Sequence, residues 1–84
     1  SAASDVYKRQ QINFAYHSNK IEGSKLSKDQ TIRIFETNDL TMDLDDALET
    51  QNHFRLFAYM LKTVNEPLSK EMMIQMNMIL KEII

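Results

Sequence analysis

The stretch Leu44-Asp45-Asp46-Ala47-Leu48-Glu49-Thr50-Gln51-Asn52-His53-Phe54-Arg55-Leu56-Phe57-Ala58-Tyr59-Met60-Leu61 decides the fold. Leu44, Ala47, Leu48, Gln51, Phe54, Ala58 and Leu61 recur at intervals of three and four, the period of a helix buried along one stripe. Phe57, Tyr59 and Met60 widen that apolar surface. Asp43, Asp45 and Asp46 stand at its start, where the positive end of the helix dipole favours carboxylates. Asn65-Glu66-Pro67 ends it, because proline has no amide hydrogen to donate and clashes with the preceding turn. The pattern predicts a helix from about Leu44 to Val64, the longest element of the chain.

Working outward, the other elements read the same way. On the C-terminal side Ser69 caps a last helix whose Met72, Met73, Met76, Ile79, Leu80 and Ile83 make one apolar face. Four of the six methionines lie in it, and methionine is more often a filler of core gaps than a recruitment surface. The pattern is still running at Ile83-Ile84, which predicts that the protein continues and that part of this face is left uncovered. On the N-terminal side Ser27-Lys28-Asp29-Gln30 is a capping box, in which hydroxyl and amide each satisfy a free backbone donor. Leu26 precedes it as a staple onto Thr31 or Ile32, and Ile32, Ile34 and Phe35 carry the helix to about Asn38. Asn38 to Asp43 reads as a polar loop. From Gln11 to Glu22 the face Ile12, Ala15, Tyr16, with Asn19 as a small polar neighbour, and the ridge Phe14 and Ile21 make one more helix, closed by Gly23. The fold class is therefore all-α, with about four helices and short connections.

Bulk properties agree and exclude several functions. One Gly and one Pro are too few for the corners of a turn-rich β architecture. With no Cys there is no disulfide framework and no thiolate metal site. Ten basic against twelve acidic residues, net −2, give no field to attract nucleic acid or an anionic membrane. No apolar run approaches the ~20 residues of a membrane span, so a cytoplasmic location follows by default. Residues 1–10 do not blend with the rest. Asp5-Val6-Tyr7-Lys8-Arg9-Gln10 resembles one reading frame of a transposon-derived sequencing adapter, and the segment is expected to be a non-native leader rather than a polar helix start. Residues 11–84 then form the single domain.

The stretch that points to function is Phe14-Ala15-Tyr16-His17-Ser18-Asn19-Lys20-Ile21-Glu22-Gly23-Ser24-Lys25-Leu26-Ser27. Ser18 and Glu22, four apart at a helix end, share one face. A carboxylate there can grip an arginine in a bidentate pair while the hydroxyl steadies it. By itself Ser-x-x-x-Glu-Gly describes many solvated helix ends. In context the segment resembles the inhibitory helix of Fic-family proteins, a Ser or Thr, three residues, then Glu and Gly or Asn. The likeness continues through Leu26-Ser27 with Gln30-Thr31, Asp45-Asp46, Glu49-Thr50 with Asn52-His53, Pro67-Leu68-Ser69 and Leu80, and so covers Ile12 to the end.

The resemblance implies the N-terminal part of a Fic-type helical domain, truncated before the catalytic core, with the inhibitory helix at 11–23. In that family the motif's Glu pairs with an arginine of the active-site loop that otherwise holds the γ-phosphate of ATP. Carried over, Glu22 is the inhibitory acid, Ser18 its supporting hydroxyl and Gly23 the turn. The complete protein would use Mg-ATP to transfer AMP to hydroxyl groups of target proteins. Its partner would be a catalytic Fic core in the same chain or, for an antitoxin-like inhibitor, in another. The family's His-Pro-Phe stretch and its Gly-Asn-Gly-Arg loop are absent: the one Pro is Pro67, the one Gly is Gly23, and neither His17 nor His53 precedes Pro-Phe. The chain itself therefore has no catalytic residues. Asn77 stands where relatives often carry His.

Simpler readings account for the remaining polar residues. Glu49 and His53, one turn apart, are too few for a metal site and read as an ion pair on a helix surface. His17 reads as packing or capping, and Asn52 as a hydrogen-bonding partner for a neighbouring helix end. A helix-turn-helix or adaptor module is the third functional class, disfavoured by the net charge and the lack of a basic recognition face.

Overall fold

In the computed structural model, which describes residues 2–81, four helices follow in order: α1 (Ala2–Ile21), α2 (Lys28–Thr37), α3 (Leu44–Lys62) and α4 (Lys70–Lys81). The all-α class stands, with no strand among the described residues. α3 is the centre, packing against α1, α2 and α4 in turn; α1 also touches α2, while α4 rests on α3 alone.

The elements start and stop where local chemistry directs. Ser27 accepts the Gln30 amide at 3.1 Å while the Gln30 side chain accepts the Ser27 amide at 2.8 Å, so the capping box is complete. α2 closes on Asn38, held in the left-handed region at φ 55°, one of the few non-glycine residues that tolerates it. Asp43 is the N-cap of α3 rather than a member of its first turn, and its carboxylate accepts the Asp46 amide at 3.0 Å. Between them Asp39 accepts the Thr41 hydroxyl at 2.6 Å and the Thr41 amide at 2.9 Å, with Arg33 at 2.9 Å. The two Thr41 bonds, then Arg33, hold the Asp39 carboxyl below the usual value for an aspartate. Ser69 caps α4 by accepting the Met72 amide at 3.1 Å.

α1 begins at Ala2 instead of Gln11 and, not α3, is the longest helix. No Gly or Pro interrupts residues 2–21, and Asp5 lies in the first turn, so nothing stops the helix from running through the adapter-like segment. Every residue from Ala2 to Gln10 is exposed.

The core is small. Ala15, Leu26, Ile34, Ala47 and Phe54 are buried together, with Ile12, Phe35, Leu40 and Met42 packed against them. Phe35 meets Phe54 edge to face at 5.1 Å between ring centres, the favoured quadrupole arrangement. Leu40 and Met42 come from the stretch expected to be only a polar loop. On α3 the predicted stripe holds at its middle, Ala47, Leu48 and Phe54, whereas Leu44, Ala58 and Leu61 at its ends are exposed. In their place α3 buries Thr50, Asn52, His53 and Leu56, because α1 and α4 cover it from other directions. On α4 only Ile79 is buried, Met72 and Met76 are half-buried, and Met73, Ile74, Met78 and Leu80 stay exposed. Ile83 lies outside the described residues.

Candidate functional site

The predicted motif sits at the C-terminal end of α1. There the backbone closes in a Schellman motif: the Gly23 amide donates to the Lys20 carbonyl at 3.1 Å and the Ser24 amide to the Asn19 carbonyl at 2.9 Å. Gly23 carries the positive φ, 91°, that this closure needs, and a Cβ there would meet nothing within 4 Å. Glycine is thus required by backbone conformation and not by crowding. Ser24 is buried and its hydroxyl accepts the Leu26 amide at 3.2 Å, turning the chain towards the α2 cap.

Asn19 fixes this end to α3. It is only 2% exposed, and its side-chain amide donates to the hydroxyl of the fully buried Thr50 at 2.6 Å. Thr50 in turn donates to the Asp46 carbonyl one turn back along α3. A second tie, from Gln11 to the Phe54 carbonyl at 2.9 Å, lies two turns earlier on the same side of α1. The last turn of α1 is therefore held at a defined height on α3.

Glu22 projects from that fixed end. One carboxylate oxygen lies 3.4 Å from Nε2 of His53, and the side chain remains half exposed while that of His53 is 5% exposed. The expected support from Ser18 is not a side-chain bond. Among the described residues no hydrogen bond joins its hydroxyl to Glu22, and the link is the Glu22 amide donating to the Ser18 carbonyl at 3.3 Å. His53 stands in the place assigned to that hydroxyl. It is buried, since α1 covers that side of α3, and so is not the surface residue expected, though it still acts on the Glu49 carboxyl, drawing it down against the upward pushes on it. Phe14 turns its ring against the imidazole at 80° and 6.1 Å, and stacks tilted on Phe57 at 5.5 Å. Of the two ridge positions read on α1, Phe14 packs, whereas Ile21 is left exposed at the helix end.

Glu22, Glu49, Asn52, His53 and Leu80 line a recess of about 100 Å³. Burial first, then the charges of Glu22 and Asp46, push the Glu49 carboxyl above the 4.5 usual for a glutamate. Asn52 is buried and accepts a hydrogen bond from Arg55 one turn along its own helix, rather than from the neighbouring helix end expected of it. His17 is exposed with its ring edge-on to Tyr16 at 5.2 Å. Among the described residues no group of three His, Cys, Asp or Glu could hold a metal ion, and no helix is long and apolar enough to cross a membrane.

Chemically the recess is an acceptor site. It sets the Glu22 and Glu49 carboxylates beside a buried imidazole whose Nε2 faces Glu22. The signal for His53 was present in the sequence as Thr50 and His53 three apart beside the stripe, but which helix covers that face is a long-range fact. No family model, no characterised protein and no solved structure matches the chain.

Proposed function

We propose that this chain is the N-terminal autoinhibitory segment of a Fic-family protein that transfers AMP from ATP to hydroxyl groups of target proteins. The observation that carries the reading is the placement of Glu22: a carboxylate on a helix end fixed by Schellman closure and by the Asn19–Thr50 bond, half exposed, with acceptor capacity left for an incoming guanidinium. A partner arginine drawn to Glu22 is withdrawn from the γ-phosphate of ATP. The neighbouring Glu49 adds a second negative charge that opposes a phosphate approaching the same place. The described residues do not fit Mg-ATP themselves, since the recess is acidic and the single glycine serves a helix cap; nucleotide would be held by the catalytic core.

The test is Glu22→Gly in the complete gene product that carries these residues. The expected result is increased incorporation of radiolabelled AMP into substrate and into the protein itself. Unchanged labelling in a folded Glu22→Gly protein would refute the inhibitory role.

A further inference from the structure

His53 and Glu22 meet across two helices that are separated by thirty-one positions in sequence. The imidazole is buried against the ring of Phe14, and Nδ1 lies out of solvent with no hydrogen-bond partner. Nε2 is the one ring nitrogen with an acceptor in reach, the Glu22 carboxylate at 3.4 Å. A proton on Nδ1 would be a buried donor with nothing to receive it, whereas a proton on Nε2 points at a carboxylate. The distance is slightly beyond the usual 2.7–3.2 Å range for N–H···O, within reach of a small rotation of the exposed Glu22 side chain.

We infer that His53 is the positioning residue for Glu22: its Nε2–H donates to one carboxylate oxygen and holds the side chain in a single rotamer, leaving the other oxygen for a cationic partner. The neighbouring Glu49, one turn earlier on α3, repels the Glu22 carboxylate in this same rotamer, so the contact with His53 is what must hold Glu22 there against it. A free glutamate at a helix end populates several rotamers, and ordering it at the moment of binding costs conformational entropy. A glutamate already held by a buried imidazole does not incur that cost again. A hydrogen bond to a charged group suffices to favour one rotamer by about tenfold. The effect on inhibition rests on the reading of Glu22 proposed above; the pairing itself does not.

Nuclear magnetic resonance on the isolated 84-residue chain tests the pairing. In imidazole nitrogen–carbon correlation spectra, His53 should show the Nε2–H tautomer, and Glu22→Gln, a change at a half-exposed site, should shift the Nε2 resonance while leaving His17 unmoved. Side-chain couplings of Glu22 should report one dominant rotamer in the native chain and in His53→Gln, whose amide can still donate, and averaged rotamers in His53→Phe. An Nδ1–H tautomer, or an Nε2 resonance indifferent to Glu22→Gln, overturns the inference without any need for the His53 variants to fold. In the complete protein, His53→Phe should raise AMP transfer to a level between wild type and Glu22→Gly, His53→Gln should leave it near wild type, and neither should add to Glu22→Gly. If Glu22→Gly itself leaves transfer unchanged, the inhibitory reading fails while the spectra still decide the pairing; if Glu22→Gly activates and His53→Phe does not, the positioning role fails alone.

Discussion

Replacing Thr50 by Val keeps the shape of a fully buried side chain and removes the hydroxyl that receives the Asn19 amide. Asn19 then has no hydrogen-bond partner for its side chain, because its Oδ1 is already buried without one. The Asp46 carbonyl loses a secondary donor but keeps its place in the helix ladder. The dominant loss is therefore the desolvation of an unpaired buried amide, about 1–3 kcal/mol. In a domain of this size each kcal/mol shifts the midpoint by about 4–8 °C, so a loss near the middle of that range lowers Tm by about 8–16 °C. Against a total stability near the lower end of ~5–15 kcal/mol this is a large share. The assay is urea and thermal unfolding followed by far-ultraviolet circular dichroism, with Asn19→Leu and the double variant completing a cycle. The double variant should recover most of the loss, since removing both polar partners of similar shape is nearly neutral. A Thr50→Val loss under about 0.5 kcal/mol, or a double variant no better than the singles, would refute the claim that this bond holds the end of α1.

Three further outcomes follow from the same structure. Gly23→Ala should cost about 1 kcal/mol in thermal unfolding, because alanine must adopt φ 91° with no compensating contact, and Gly23→Asn should cost less. Ile34→Ala should lose about 2–5 kcal/mol by urea titration, since Ile34 is 1% exposed at the centre of the core. Glu49 holds its proton more tightly folded than unfolded, so its contribution to stability is lost as pH rises from about 4.5 through its raised value. Glu49→Gln lacks that loss and should gain on the wild type across that window, read from urea midpoints between acid and neutral pH; a constant difference would contradict the assigned environment.

What was legible in the sequence was what neighbouring residues decide among themselves. Ser27 and Gln30 announce their capping box because both partners lie within four residues, and Gly23 announces a left-handed closure for the same reason. The Ala15 and Asn19 face of α1 and the middle of the α3 stripe were legible because α1 and α3 pack on each other there. The ends of the α3 stripe were not. Leu44, Ala58 and Leu61 follow the helical period yet stay exposed. Leu40 and Met42 were hidden in a polar stretch whose turn, set by Asp39 and Thr41, points them inward. At the site, spacing places Ser18, Glu22 and Gly23 at one helix end, where Gly23 takes the left-handed turn. The approach of Glu22 to His53 was not legible, because only the packing of α3 under α1 creates it.

The exposed first half of α1 has a practical meaning. No residue from Ala2 to Gln10 contributes a buried side chain, while the ties of α1 to α3 begin at Gln11 and finish at Asn19. Those nine residues form a solvent-exposed stem, bordering α2 where Lys8 and Arg9 face Phe35 and Glu36, on which a dye, an affinity handle or a fusion can be mounted. The Glu22 end, on the far side of both clamps, is insulated from whatever the stem carries.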